Sequence, residues 1–167
     1  ARIRSFADLP SAERIVIGGT DVPIGRYTLQ ILDEASRTLG ADFRTRVEAR
    51  VVSREPNVRQ VLSKVTLGEA DAAIVYRTDA ATVGARVSVV SIPAEMNVIA
   101  EYPIAVVARA PNRALARDWV DLVMSMLGQV ILRRAGFLAP LAGAAHSGHR
   151  CLPVPPRDPA QSRSRSA

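Results

Sequence analysis

Short β-branched apolar runs alternate with stretches of helical spacing through the first 140 residues of this 167-residue chain. That alternation restricts the fold more than any other feature. Arg14–Gly19 (RIVIGG) is a compact apolar run closed by glycines, the mark of a buried strand. Ile24, Tyr27, Ile31, Ala35 and Leu39 then recur at helical intervals, with Gly40 where a C-terminal cap belongs. Arg50–Ser53 is a second short strand, and Asn57 is placed to cap a helix whose stripe is Val58, Val61, Leu62 and Val65, stopped by Gly68. Ala72–Tyr76 (AAIVY) reads as a third strand, with Thr78 or Asp79 capping a short helix. Val87, Val89 and Ile92 mark a fourth strand and Pro103–Arg109 a fifth. Asn112 opens a long amphipathic helix through Leu127, and Gln129–Ala135 a last one ending at Gly136. Strands separated by helices require crossovers, so the expected class is α/β with a mainly parallel sheet flanked by helices. A core with only 4% aromatic residues, built from Ala, Val, Ile and Leu, suits that sheet.

Charge and composition exclude several functions. The net charge is +6, but residues 141–167 supply half of it through Arg150, Arg157, Arg163 and Arg165 against Asp158. The remainder is spread over mixed-sign helices without clustered basic and aromatic residues, so no nucleic-acid partner is expected. No apolar run approaches the roughly 20 residues that cross a bilayer. The single cysteine, Cys151, permits no internal disulfide. The opening ARIRSFADLP lacks the apolar stretch of a signal peptide, which fits a mature chain, a fragment or a cytosolic protein. Residues 141–167 carry four prolines and no apolar period and are expected to be a disordered tail. His146, His149 and Cys151 within it lack a fourth ligand at metal-site spacing, so no metal is expected. No histidine or cysteine precedes residue 146 and no carboxylate pair stands out, so an enzyme is not expected.

In open α/β sheets ligands gather at the carboxyl ends of strands, beside helix N-termini. Three junctions fall there. In GGTDVPIGRY (Gly18–Tyr27), Pro23 suits the first turn of a helix and Gly25 keeps that turn free of a side chain, so backbone donors near Ile24 are available to an anion. The turn is not a phosphate-cradling GxxxxGK[ST] loop. In SREPNVRQVL (Ser53–Leu62), helix amides begin near Val58. In GEADAAIVYRTDA (Gly68–Ala80), Tyr76 closes a strand with its phenol at the same sheet edge.

The order and surroundings of these segments carry a family resemblance. SFADL at Ser5–Leu9, RIVIGGTDVPIGRY at Arg14–Tyr27, EPNVRQVLSKVTLGEADAAIVYRTDA at Glu55–Ala80, VSIP at Val90–Pro93, YPIAVV at Tyr102–Val107 and the closing RRAGFLAP are similar to the periplasmic molybdate-binding proteins of ABC transporters, over about Ile3 to Pro140. The resemblance implies a two-lobed type II solute-binding fold. Residues 1–100 would form an oxyanion-binding lobe, and 101–140 the C-terminal part of a second lobe. It implies a molybdate or tungstate oxyanion held by uncharged donors: the Ile24 and Val58 amides and the Tyr76 hydroxyl. Some relatives carry a carboxylate at the Val58 position, and valine here implies a tetrahedral anion held by hydrogen bonds alone. No cofactor is implied beyond that ligand. The implied partner is an ABC transporter permease, and the implied location is periplasmic or anchored at the cell surface.

Asp21 and Glu55 are expected to be solvated turn residues, because an ionised carboxylate beside a dianion is repulsive. Arg26, Arg54 and Arg59 are expected on the outer surface. Family members begin with a further lobe of roughly 80 to 90 residues, within ordinary domain sizes, that brings two anion-contacting serines. The chain starts after the matching point, so oxyanion binding by these 167 residues alone is expected to be weak or undetectable. The second-lobe helices would expose apolar surface around Trp119, Leu122 and Met126, a route to self-association. The competing readings are a ligand-sensing domain of a transcription regulator with the same lobe fold, and a binding protein for another oxyanion such as sulfate.

Overall fold

Strand β1 (Ile15–Gly18) is buried along its whole length and forms the centre of the first structural unit. Its side chains alternate between two cores. Ile15 and Ile17 join Phe6, Leu9, Ile31, Leu32, Phe43, Val47, Ile74 and Met96 on one face of the sheet. Val16 packs with Val61 and Ala70 on the other. Strands β2 (Val51–Glu55) and β3 (Ala72–Ala73) pair with β1 from either side, giving a parallel three-stranded sheet in the order β2-β1-β3. The register sets Gly18 opposite Glu55 and Val16 opposite Ala73, so all three strands end at one edge. The α/β class and the parallel sheet flanked by helices are as the sequence leads one to expect.

The computed structural model describes residues 3–140. The expectation for residues 141–167, with His146, His149 and Cys151, lies outside the described residues. One unit comprises Ala1–Tyr102 with Ala135–Phe137, and the other includes Pro103–Arg134.

In the first unit, α1 (Pro23–Leu39) and α2 (Phe43–Glu48) supply the larger core and α3 (Val58–Thr66) the smaller. Gly40 takes φ +118°, a backbone region that glycine tolerates, and ends α1 at the expected residue. Asn57 caps α3 as expected, its Oδ1 accepting from the Gln60 amide at 3.0 Å. The short helix α4 (Arg77–Val83) starts earlier than expected: Tyr76 is its N-cap residue, and Asp79 sits inside its first turn. Helix α2 has no counterpart in the expected elements. Only Phe43 and Val47 of its six residues are buried, too few for a visible period.

The expected third strand is cut to Ala72–Ala73, and among the described residues neither Val87–Ile92 nor Pro103–Arg109 is a strand. A strand exists only as one side of a hydrogen-bonded pair. Apolar β-branched residues without a neighbouring edge remain irregular. The end of the first of these segments and the residues after it pack nonetheless: Ile92 and Val98 lie against the larger core, and Met96 is buried in it.

In the second unit, Asn112 caps α5 (Arg113–Met124), its side chain accepting from the Leu115 amide at 3.0 Å. Ser125 breaks the expected long helix, and α6 (Met126–Arg134) restarts at once, with Ser125 Oγ accepting from Gly128 N. No residue of α5 or α6 is buried, and Leu115, Trp119, Leu122, Met126, Leu127 and Ile131 are exposed. Among the described residues no helix is long and apolar enough to cross a membrane.

Asp71 ties the start of β3 to that of β1. Its carboxylate accepts from the Arg14 amide at 2.9 Å and from the Arg14 guanidinium at 2.8 Å, while its own amide donates to Arg14 O. These bonds hold the Asp71 carboxyl below its ordinary pKa, the Arg14 side chain foremost. A lowered carboxylate pKa stabilises the fold above the unfolded value, and that contribution is lost as pH falls through the folded one. Asp71→Asn should therefore lower Tm at neutral pH, with the difference from the parent chain shrinking below about pH 4; thermal melts across pH 3–7 (roughly the carboxylate range) check this.

Candidate functional site

The sheet's carboxyl edge is where the chain turns from β1 into α1, from β2 into α3 and from β3 towards α4. At the first turn the backbone closes tightly. A Cβ on Gly18 would come within 2.5 Å of Ile24 Cγ2 and 2.8 Å of Gly25 N, and one on Gly25 would overlap the Gly19 carbonyl oxygen. Glycine is required at both by close approach. Val22 is extended (φ −107°, ψ 152°), as the residue before proline prefers, and Pro23 begins α1. The Ile24 side chain is buried beneath this turn.

The turn's amides divide into two groups. Gly19 N donates to Glu55 O, Val22 N to Gly19 O, and Gly25 N and Arg26 N to Val22 O. The Ile24 amide has no acceptor among the described residues. At α3, Gln60 N is taken by the Asn57 side chain and Val61 N by the Asn57 carbonyl. The Val58 and Arg59 amides likewise have no acceptor among the described residues. Such first-turn donors, backed by the helix dipole, suit an anion.

Tyr76 is brought beside the first of these turns. Its ring meets that of Tyr27, one helical turn beyond Ile24, edge-on at 6.4 Å between centroids. The phenol makes no hydrogen bond among the described residues, and desolvation, followed by Tyr102, Tyr27 and Asp79, raises its pKa while Arg26 opposes. The hydroxyl therefore stays protonated, a donor, throughout the neutral range. Asp79 is raised by burial, with Arg59 opposing, which sets the first turn of α3 within electrostatic reach of α4. Tyr76 thus stands beside α1 at Tyr27, three residues after Ile24. Val58 reaches the carboxyl edge from the opposite face of the sheet.

One expectation about charged neighbours changes. Glu55 is not a turn residue: it is the last residue of β2, half-buried, with its carboxylate accepting from Ser53 Oγ and its carbonyl holding Gly19 N. Strand pairing with Gly18 draws it in. Arg26 is exposed with its guanidinium on the Asp21 carbonyl, yet its charge is felt at Tyr76. Asp21 and Arg54 are exposed, the latter 3.9 Å from Glu48. Two surface concavities lie elsewhere, one of about 640 Å³ beside Asp8, Arg46 and Arg50 and one of about 280 Å³ beside Gln60 and Lys64. Neither is lined by Ile24, Val58 or Tyr76.

The three junctions, taken singly, do not point to the aromatic residues around Tyr76. Tyr27, Tyr76, Tyr102 and Phe137 follow one another with centroids 6.4, 6.3 and 5.5 Å apart, all near-perpendicular. Four of the chain's seven aromatic residues stand in this row. In so aromatic-poor a chain, Tyr102 and Phe137 were the available signal, hidden because each lay in a segment read for its apolar pattern.

The chain belongs to a family of bacterial extracellular solute-binding proteins: residues 1–138 match the family model described as "Bacterial extracellular solute-binding protein". Among curated relatives, it is 38% identical over 140 residues to the molybdate-binding protein ModA of Mycobacterium tuberculosis (strain ATCC 25618 / H37Rv), covering 83% of this chain and 50% of that protein. ModA of Mycobacterium bovis is equally similar. A putative ABC transporter substrate-binding lipoprotein, YvgL of Bacillus subtilis (strain 168), is 30% identical over 139 residues, covering 82% of this chain and 50% of that protein. The chain thus spans about half the length of the curated relatives it matches.

The tight β1–α1 turn gives a direct test. Gly25→Ala forces the first turn of α1 off the Gly19 carbonyl and should destabilise the chain by about 1–3 kcal/mol, read as a lower midpoint in urea with an unchanged slope.

Proposed function

We propose that the chain is the substrate-binding component of an ABC transporter for molybdate or tungstate, with the Ile24 and Val58 amides and the Tyr76 hydroxyl as donors to the oxyanion. The observation that carries this reading is the match to molybdate-binding proteins across the segments that build the sheet's carboxyl edge. The site's chemistry supports it independently. First-turn amides at Ile24 and Val58 lack acceptors among the described residues, and Tyr76 keeps its proton. A dianion leaving water must recover several hydrogen bonds at once, and charge-assisted ones are roughly twice as strong as neutral pairs. Neutral donors supply them without a titrating partner and without a net charge that every anion would share.

In this reading the remaining oxygens are held from a facing lobe, the loaded protein docks on a permease, and the location is periplasmic or at the cell surface. Binding by these 167 residues alone is accordingly weak or undetectable. Selection against sulfate comes from size, since the two anions share charge and shape. Self-association through the exposed face of α5 and α6 is a separate part of the proposal. Sedimentation across a concentration series should show it, and a strictly monomeric chain would remove it.

Amide NMR of the full chain, titrated with sodium molybdate, tests the donor set at weak affinity. The Ile24 and Val58 resonances should move saturably, sodium sulfate should move them less, and Tyr76→Phe should weaken binding about 10- to 100-fold. Equal responses to both salts, or shifts confined to other residues, overturn the assignment. Affinity should also stay flat between about pH 6 and 9, because amides do not titrate and the Tyr76 phenol is raised rather than lowered.

A further inference from the structure

We propose that Tyr102, itself backed by Phe137, is a positioning residue for the oxyanion donor Tyr76, holding its ring through an aromatic edge contact; the inference rests on the reading of Tyr76 as a donor. Tyr76 needs such support. Its hydroxyl has no hydrogen-bond partner among the described residues, so nothing at the tip fixes where the phenol points. Its ring is instead caught between two others. Tyr27 of α1 stands at 6.4 Å and 71°, and Tyr102 at 6.3 Å and 67°. Both are edge arrangements, in which the positive rim of one ring meets the negative face of another, so they favour a particular ring orientation as well as apolar burial.

Tyr102 has backing of its own. Phe137 meets it at 5.5 Å and 78°, the closest pair of the row. Gly136 makes this approach feasible. It adopts φ +94°, and a Cβ there would already be 3.4 Å from Thr78 Cγ2, two residues beyond Tyr76. The segment Ala135–Phe137 therefore returns to the first unit beside the start of α4. Two separated parts of the chain meet the Tyr76 ring, α1 through Tyr27 and the segment at Tyr102, and the Gly136–Phe137 turn backs the second of them.

The role belongs to the ring of Tyr102 and not to its hydroxyl, which makes no hydrogen bond among the described residues. Tyr102 is 61% exposed, so it is not held there by core burial and its removal leaves both hydrophobic clusters intact. An exposed tyrosine whose ring contacts are two aromatic edges serves orientation more than stability. Fixing the donor before the ligand arrives removes an ordering cost that would otherwise be met at binding.

The experiment compares the full chain with Tyr102→Leu, Tyr102→Phe and Phe137→Leu, using sodium molybdate titrations followed by amide NMR, thermal melts, and the ring resonances of Tyr76 from labelled tyrosine. Tyr102→Leu should weaken molybdate binding roughly 3- to 10-fold, with Tm little changed and the Tyr76 ring signals shifted. Tyr102→Phe should restore binding, and Phe137→Leu should give a smaller loss. A Tyr102→Leu chain that binds as the parent does, or one that Tyr102→Phe does not rescue, overturns the inference. If the parent itself does not respond to molybdate, the ring signals decide the contact alone, and an unshifted Tyr76 in Tyr102→Leu overturns the inference.

Discussion

Parallel pairing on both sides of β1 is the constraint from which the candidate site follows. Because β2 and β3 run in the same sense as β1, the three strands finish at one edge, and each hands the chain to a helix starting there. An antiparallel neighbour would have carried its helix start to the far edge. The pairing is secured from two directions. Ile15 and Ile17 are buried against one set of helices and Val16 against another, so a slip of one residue would exchange the two faces and expose both cores. At the start of the strands Asp71 bridges to Arg14, and at their end Gly19 N reaches back to Glu55 O. The place of the acceptor-free first-turn amides is thus a consequence of sheet register, and the glycines at 18 and 25 let the first turn of α1 settle onto it.

The electrostatics of the edge are mixed, which bears on how an anion could be held there. Asp79 lies within reach of Tyr76 and Tyr102, and Glu55 closes β2 nearby, while Arg26 and Arg59 offset them. With both signs present on side chains, neither sign dominates. What remains directional is the backbone: first-turn amides with their helix dipole, which keep their strength at any pH where the chain is folded. The raised pKa of Tyr76 adds a third donor of the same kind. Long-range attraction plays a small part in such a site, so its grip depends on geometry and on dehydration of the ligand.

The helices and their limits were legible because local chemistry sets them. Pro23 and Gly40 bracket α1, and Asn57 and Asn112 cap their helices through hydrogen bonds that any chain with those residues can form. Strands were legible only where a partner exists. VSVVSI at 87–92 and PIAVVAR at 103–109 have the composition of strands, but composition carries no information about whether an edge is available, and these segments are unpaired among the described residues. The Ile24, Val58 and Tyr76 junctions could be picked out because each follows an apolar run and a turn residue. Glu55 was misplaced by two residues of strand length. The aromatic row was invisible for a different reason: its members are 49, 26 and 35 positions apart in sequence, and only the fold joins them.

That separation makes the row a report on the fold as a whole. Tyr102 is the last residue before the chain leaves the first unit, and Phe137 lies just after its return at Ala135. Their ring contact lies within the first unit, beside the phenol proposed to touch the ligand. A hydrogen bond to the Tyr76 hydroxyl could have fixed the same ring, but it would have engaged the group needed for the anion and required that bond to break on binding. Edge contacts avoid this competition, since they hold the ring and leave the oxygen free. In a chain with three tyrosines, placing all three here puts its amphipathic rings where an apolar body and a polar tip are both used.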